Sequence, residues 1–122
     1  LLDMELHNLT DTDNLNVVAF EKETMDKLGL IPEIAPRYRA TYFSHIIGGY
    51  AAGYYSYLWA EVLDTDAFEA FKEHGVFDKN TADSFRKNIL EKGGTEDPMT
   101  LYRGFRGADP SLEPLLKNRG LK

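Results

Sequence analysis

The chain has 122 residues, with 14 Lys and Arg against 20 Asp and Glu, and therefore a formal net charge of −6. This length predicts one domain or less, and 43% hydrophobic residues with seven Phe and seven Tyr exclude a disordered chain. The acidic balance argues against a nucleic-acid partner, which needs Lys and Arg to neutralise phosphates. Because the chain has no cysteine, it can form no disulfide, Cys nucleophile or Cys metal site.

The first residues carry no initiator Met and no charged segment leading into an apolar signal. We expect them to be the end of a helix that started upstream in a longer protein. The longest stretch without Asp, Glu, Lys or Arg is residues 40–60, which is rich in Tyr, Gly, Ser and His. A spanning helix needs about 20 predominantly apolar residues, so no membrane partner is expected. The expected compartment is the cytoplasm, with the periplasm or export left open.

The N-terminal part of the chain predicts one helix and one irregular segment. Asp11 and Asp13 are candidate N-caps of a helix that stops near Gly29. Two prolines then predict an irregular segment over residues 30–41, because the residue before each proline is pushed away from helical geometry.

A long helix is predicted from about Tyr50 to His74. Its second half is amphipathic, with Asp64 and Asp66 on the polar face and Phe68 on the apolar one. Residues 50–60 carry no charge on any face, which is typical of a buried helix. Either this is the central helix of the bundle, or part of it faces something that the chain does not contain.

Three further helices are predicted near the C-terminus. They begin at the caps Asp78, Asp97 and Ser111, and the first and last stop at Gly93-Gly94 and Gly120. No segment alternates polar and apolar residues in the way a strand does. The fold class predicted is all-α, a short helical bundle.

Three tyrosines are the main candidates for chemistry. Tyr50, Tyr54 and Tyr57 are spaced by four and three residues, so on a helix they share a face, whereas Tyr55 lies about 100° around and is expected in the core. A phenol keeps its proton at neutral pH and can donate to an oxyanion or a peptide carbonyl. The alternative is that each hydroxyl bonds a main-chain carbonyl of the bundle.

Further candidates precede these tyrosines. His45 lies in a predicted turn just before Gly48 and Gly49, where the backbone can approach a ligand closely and a neutral imidazole can donate or accept. Arg37 and Arg39 suit a bidentate grip on a carboxylate. Each has a structural alternative, namely a packed histidine and solvated or ion-paired arginines. The three histidines are too scattered to predict a metal site, and no His-Glu-x-x-His, phosphate loop or Gly-x-Ser-x-Gly is present.

Residues 37–62 resemble the C-terminal part of the thimet-oligopeptidase family of zinc metallopeptidases. The matching features are the Arg-Tyr-Arg lead-in, His45, Gly-Gly-Tyr50 and Gly-Tyr-Tyr-Ser-Tyr57. The resemblance continues through residues 77–81, 85–86, 93–94, 97–98, 105–107 and 119–121, and so covers essentially the whole chain. The lead-in and the Arg-Gly-Leu of residues 119–121 are most similar to the bacterial dipeptidyl carboxypeptidase branch.

This resemblance implies that residues 1–122 are the C-terminal, substrate-facing segment of a larger helical zincin-type peptidase. The family's zinc is held by His-Glu-x-x-His and a downstream Glu, which lie upstream and are absent here, so the chain alone is expected to be inactive. The resemblance also implies that His45, Tyr50, Tyr54 and Tyr57 contact the substrate and polarise the scissile carbonyl, with Tyr57 donating to the oxyanion.

The implied partners are peptide substrates and the upstream part of the same polypeptide. Release of C-terminal dipeptides would require a grip on a free carboxylate, which we assign as a hypothesis to Arg37 or Arg39. The rival hypothesis is a stand-alone helical protein-interaction module without catalytic activity. If part of residues 50–60 faces something that the chain does not contain, the exposed aromatic residues should make the chain self-associate or bind a hydrophobic dye.

Overall fold

A computed structural model describes all 122 residues of the chain. It contains six α-helices and no strand, which confirms the predicted all-α class. The chain divides into two units, residues 1–56 and residues 57–122, and each is described by itself. None of the helices combines the length and the apolar character needed to cross a bilayer.

The first unit contains two α-helices and two short 3₁₀ helices. They are α1 (Leu2–His7), α2 (Val17–Lys27), and the 3₁₀ turns Ala40–Tyr42 and Ser44–Ile47. The predicted caps Asp11 and Asp13 are wrong: Asn16 caps α2 and accepts the Ala19 N–H at 3.0 Å. Asp11 instead accepts the Asp13 N–H at 2.9 Å, a local turn that competes with helix formation.

A buried carboxylate ties α2 to the irregular segment that follows it. Glu21 pairs with the Arg39 guanidinium, and its second oxygen accepts the Ala40 N–H at 2.8 Å. Burial of a charge is tolerated when it is paired and hydrogen-bonded in this way. The apolar core of this unit is small and consists of Leu2, Phe43 and Ile46.

The predicted start of the long helix is wrong. Helix α3 spans Ser56–His74, and residues 48–55 form a series of turns instead. Three glycines in this stretch lower its helix propensity, and Ala52 has a φ of +52°, which no right-handed helix accommodates. The predicted end is confirmed, because α3 stops before Gly75, whose φ is +112°.

The second unit is built from four helices around an aliphatic and aromatic core. Helix α3 is followed by α4 (Lys79–Phe85), which continues as a wider π turn over Arg86–Leu90, then by α5 (Pro98–Arg106) and α6 (Glu113–Asn118). The rings of three phenylalanines lie 5.1 to 6.3 Å apart between centroids, and they are Phe71, Phe85 and Phe105. The buried residues beside them are Val62, Ala70, Leu101, Tyr102 and Leu115.

The predicted starts of these helices are largely confirmed. Asp78 accepts the Thr81 N–H at 2.7 Å and Asp97 accepts the Thr100 N–H at 2.8 Å, so both carboxylates cap their helices. Ser111 accepts the Glu113 N–H at 3.2 Å, but the N-cap position of α6 is occupied by the next residue along.

One prediction about the faces of α3 is wrong. Asp66, expected on the polar face, is only 4% exposed, whereas Phe68, expected on the apolar face, is exposed. The Tyr102 hydroxyl donates to Asp66 at 2.5 Å, and Arg106 lies 3.4 Å from the same carboxylate. Burial, and then the hydrogen bond to Asp66, raise the pKa of Tyr102. These partners are what make a buried carboxylate tolerable on this face.

Candidate functional site

The candidate site residues lie on consecutive turns rather than on one helix. His45 is part of the 3₁₀ turn Ser44–Ile47, and its carbonyl accepts the Tyr50 N–H at 3.3 Å. The Tyr50 carbonyl then accepts the Gly53 N–H at 2.9 Å. The prediction that Tyr50, Tyr54 and Tyr57 share one helical face is therefore wrong, because α3 begins only at Ser56.

The structure nevertheless brings His45, Tyr50 and Tyr54 together. The His45 ring lies 5.8 Å from that of Tyr50 and 5.3 Å from that of Tyr54, centroid to centroid. Tyr38 and Phe43 complete the group, with Phe43 edge-on to Tyr54 at 4.7 Å and stacked on Tyr38 at 5.2 Å. We call these five rings the aromatic cluster. Such edge-to-face and stacked contacts fix ring orientation as well as burying apolar area.

Tyr38 and Phe43 were not predicted as members of this group. Tyr38 lies between Arg37 and Arg39, which were candidates because of their charge. The Tyr38 ring lies 5.2 Å from that of His45. Phe43 is two residues before His45 and is buried. The available signal was the density of aromatic residues on both sides of His45.

The candidate tyrosines differ in their exposure. Tyr50 is 40% exposed and Tyr54 is half-buried within the aromatic cluster. Tyr57 belongs to the second unit, in the first turn of α3, where it is 48% exposed. Tyr50 and Tyr57 can therefore each present a phenol ring to a molecule outside this chain.

The uncharged stretch around these tyrosines is not buried. Tyr55, which was expected in the core, is 63% exposed, and Leu58 and Trp59 are also exposed. The first of the two alternatives, a central helix covered on all sides, therefore does not hold for residues 50–60. The second, in which part of this stretch faces something absent from the chain, stays a prediction.

Asp3 is a member of the site that was not predicted from the sequence. It is 2% exposed, and its two oxygens accept the N–H groups of Ala52 and Tyr54, each at 2.9 Å. His7 Nδ1 lies 2.9 Å from the first of these oxygens. No local pattern could reveal this contact, because 49 residues separate Asp3 from Ala52.

Gly48 and Gly49, which follow His45 in the family resemblance, have open space around them. A Cβ built on Gly48 or Gly49 would meet no heavy atom within 4 Å. Packing inside this chain therefore does not require glycine at either position. Their predicted role in letting the backbone approach a ligand stays a prediction.

The two candidate arginines have different surroundings. The Arg37 guanidinium lies 5.3 Å from the centroid of the Tyr38 ring, and Arg37 lines a pocket of about 240 Å³ together with Tyr54. Arg39 is engaged by the buried carboxylate of Glu21. The grip on a substrate carboxylate stays a prediction for both.

No group of three or more His, Asp or Glu side chains in the chain is arranged to hold a metal ion. The resemblance places the zinc ligands upstream of this chain, and no residue of this chain is proposed as a zinc ligand.

The chain belongs to peptidase family M3, whose sequence model matches residues 1–121. It is similar to the dipeptidyl carboxypeptidase of Escherichia coli, with 44% identity over 128 residues, covering 99% of this chain and 18% of that protein. It is also similar to oligopeptidase A of Haemophilus influenzae, with 42% identity over 123 residues and the same two coverages, 99% and 18%. Oligopeptidase A of E. coli is 57% identical over 81 residues, covering 66% of this chain and 12% of the relative.

These matches confirm the family that the signature around His45 indicated. The chain spans less than a fifth of the length of these relatives, 18% or 12%. Relatives with either printed name, oligopeptidase A or dipeptidyl carboxypeptidase, match it at similar identity over nearly its whole length.

Proposed function

We propose that this chain is the C-terminal, substrate-facing part of a zinc metallopeptidase that hydrolyses peptides and releases C-terminal dipeptides. The observation that carries the proposal is the exposure of Tyr50 and Tyr57, 40% and 48%, in a chain that belongs to peptidase family M3. A phenol hydroxyl can donate a hydrogen bond to a carbonyl oxygen of a peptide.

In this proposal each candidate residue has a distinct task. Tyr57 donates a hydrogen bond from its phenol to the oxygen of the scissile carbonyl, where negative charge develops as a water attacks the carbon. His45, Tyr50 and Tyr54 bind the peptide backbone, and the contacts of the aromatic cluster keep their rings oriented before the substrate arrives. Donors that are oriented in advance need no reorganisation during the reaction.

The zinc belongs, in this proposal, to residues outside the chain. Such an ion, held by those residues, would supply activation of the attacking water. The contribution of this chain is limited to binding the peptide and donating hydrogen bonds.

For the carboxylate of the substrate, the surroundings favour Arg37 over Arg39. Arg37 is exposed and shares a pocket with Tyr54, whereas Arg39 already pairs with Glu21. We expect amidation of the substrate C-terminus and Arg37→Ala to lower kcat/KM non-additively, because both remove the same ion pair. Additive losses would rule out Arg37 as the group that binds the carboxylate.

The central experiment compares two tyrosine variants of the intact peptidase that contains this chain. Tyr57→Phe should lower kcat by about 10²–10³-fold, the usual loss for one oxyanion donor. Tyr55→Phe is the matched control, since it removes the same hydroxyl from an exposed neighbour without an assigned role. Equal rates for the two variants would contradict the role of Tyr57.

A second experiment tests the fragment itself. Mixing the 122-residue chain with the upstream segment of the same polypeptide should restore peptide hydrolysis. If none is restored while the two pieces bind each other, the stand-alone interaction module becomes the better hypothesis.

A cytoplasmic location also stays a prediction, and fractionation of cells that produce the intact protein would check it.

A further inference from the structure

We propose that Asp3 is a positioning residue, whose buried carboxylate holds the turns carrying Tyr50 and Tyr54 in the geometry needed for catalysis. The kinetic part of this inference rests on the proposed function, because it needs these tyrosines to bind substrate. The structural part, a carboxylate that clamps two main-chain amides, does not depend on the proposed function.

The geometry of the contact is specific. Oδ1 accepts the Ala52 N–H and Oδ2 accepts the Tyr54 N–H, each at 2.9 Å, so both oxygens of one carboxylate are engaged by alternate residues of one loop. Asp3 is only 2% exposed, so water competes little for these oxygens. Hydrogen bonds to an ionised acceptor are roughly twice as strong as neutral ones.

The backbone conformation of Ala52 needs a stabilising contact from outside the loop. Its φ of +52° is left-handed, a region that disfavours any residue with a Cβ. Such strain persists only where surrounding contacts impose it. The carboxylate of Asp3 is the contact that the structure shows at the Ala52 amide.

The same contact reaches the candidate tyrosines directly. Tyr54 is itself one of the two amide donors, and its ring contacts those of His45 and Phe43 at 5.3 and 4.7 Å. Ala52 lies two residues from both Tyr50 and Tyr54 in the chain. A shift of this loop would therefore displace the rings that we propose bind the peptide.

A role in stability alone would have a different signature. Loss of a purely structural contact would lower the stability of the first unit without changing the rate constant of correctly folded enzyme. A positioning role changes local amide exchange and kcat together. The test therefore measures both.

The first measurement is amide hydrogen exchange in the 122-residue chain, comparing the parent with Asp3→Asn. The Asn side chain offers one acceptor oxygen and turns an NH₂ group toward the other donor, so we expect exchange about 10-fold faster or more at Ala52, Tyr54 or both. Unchanged exchange at both amides would overturn the proposal. If Asp3→Asn does not fold, amide exchange in the unsubstituted chain tests the proposal instead. Exchange at Ala52 and Tyr54 as fast as in an unstructured peptide would then overturn the proposal.

Glu21→Gln is the matched control for exchange. Glu21 is another buried carboxylate in the same unit, and it accepts the Ala40 N–H rather than an amide of the tyrosine-bearing turns. We expect Glu21→Gln to speed exchange at Ala40 and to leave Ala52 and Tyr54 protected. Faster exchange at Ala52 and Tyr54 in this variant would show general loosening of the unit and would overturn a specific role for Asp3.

The second measurement is the kinetics of Asp3→Asn in the intact peptidase. Small misplacement of binding groups can cost up to about 100-fold in rate, so we expect kcat to fall by about 10- to 100-fold while KM changes little. Full activity of Asp3→Asn beside an impaired Tyr57→Phe would overturn only the role of Asp3. Full activity of Tyr57→Phe would overturn the proposed function instead.

Discussion

Removal of the Tyr102 hydroxyl tests whether the buried polar contact in the second unit stabilises the fold. Tyr102 and Asp66 are both nearly inaccessible, at 6% and 4% exposure, and the hydroxyl donates to the carboxylate at 2.5 Å. In Tyr102→Phe the ring still fills its place in the core. The carboxylate, however, keeps only Arg106, whose Nε is 3.4 Å away, and that guanidinium also makes two bonds to Glu73.

The magnitude follows from the charge on the acceptor. A hydrogen bond to a charged group contributes about 1.5–3 kcal/mol, and a buried acceptor that loses it keeps its desolvation cost. For a unit of this size each kcal/mol moves the unfolding temperature by about 4–8 °C, so we expect a decrease of roughly 6 to 24 °C. Trp59 is the only tryptophan and lies in the second unit, so its fluorescence reports the unfolding of this unit.

The control for this experiment is Tyr42→Phe, which removes a hydroxyl from an exposed tyrosine and should change stability by less than about 0.5 kcal/mol. A double-mutant cycle of Tyr102→Phe with Asp66→Ala should give a coupling free energy of about 1–3 kcal/mol. If Tyr102→Phe is as stable as Tyr42→Phe, or if the cycle shows no coupling, the buried contact does not stabilise this unit.

Three further predictions concern acid stability, exposed surface and a helix end. Amide hydrogen bonds lower the pKa values of the capping carboxyls Asp78 and Asp97. Their contribution to helix stability is therefore complete above the ordinary pKa of 3.8 and is lost as the pH falls through the lowered values. Circular dichroism should show less acid-induced loss of helix for Asp97→Asn, since Asn caps without titrating. The chain should bind a hydrophobic dye or self-associate, and Leu58→Lys should reduce both in fluorescence and light-scattering assays. Gly107 has a φ of +77°, so Gly107→Ala should destabilise the chain by about 1–2 kcal/mol in urea titrations. Gly94→Ala is the control and should leave stability unchanged, because Gly94 has open space around it and no positive φ.

Local signals predicted much of the helical framework. The end of α3 at Gly75, and the starts of α4 and α5 at Asp78 and Asp97-Pro98, depend on residues within three or four positions of each boundary. The family was also predictable, because its signature is contiguous in sequence around His45 and Tyr50. Features encoded by neighbouring residues can be read without knowing the fold.

The features that were missed depend on contacts between distant residues. The turns before Ser56 donate two main-chain N–H groups to Asp3, and the buried Asp66 accepts a hydrogen bond from Tyr102, 36 residues further along. Helical periodicity places Asp66 on a polar face because it counts charge and not the partners that neutralise it. Membership of Tyr38 in the aromatic cluster likewise follows from chain folding and not from spacing.

The position of Asp3 constrains any attempt to assemble the proposed peptidase from two separately produced pieces. Its oxygens receive amides from residues 52 and 54, so the acceptor and both donors must travel on one polypeptide if the loop is to form before the pieces meet. A split placed just before Leu1 keeps them together. A split only a few residues later would leave the tyrosine-bearing loop without its clamp, and weak complementation from such a pair would reflect the choice of cut site.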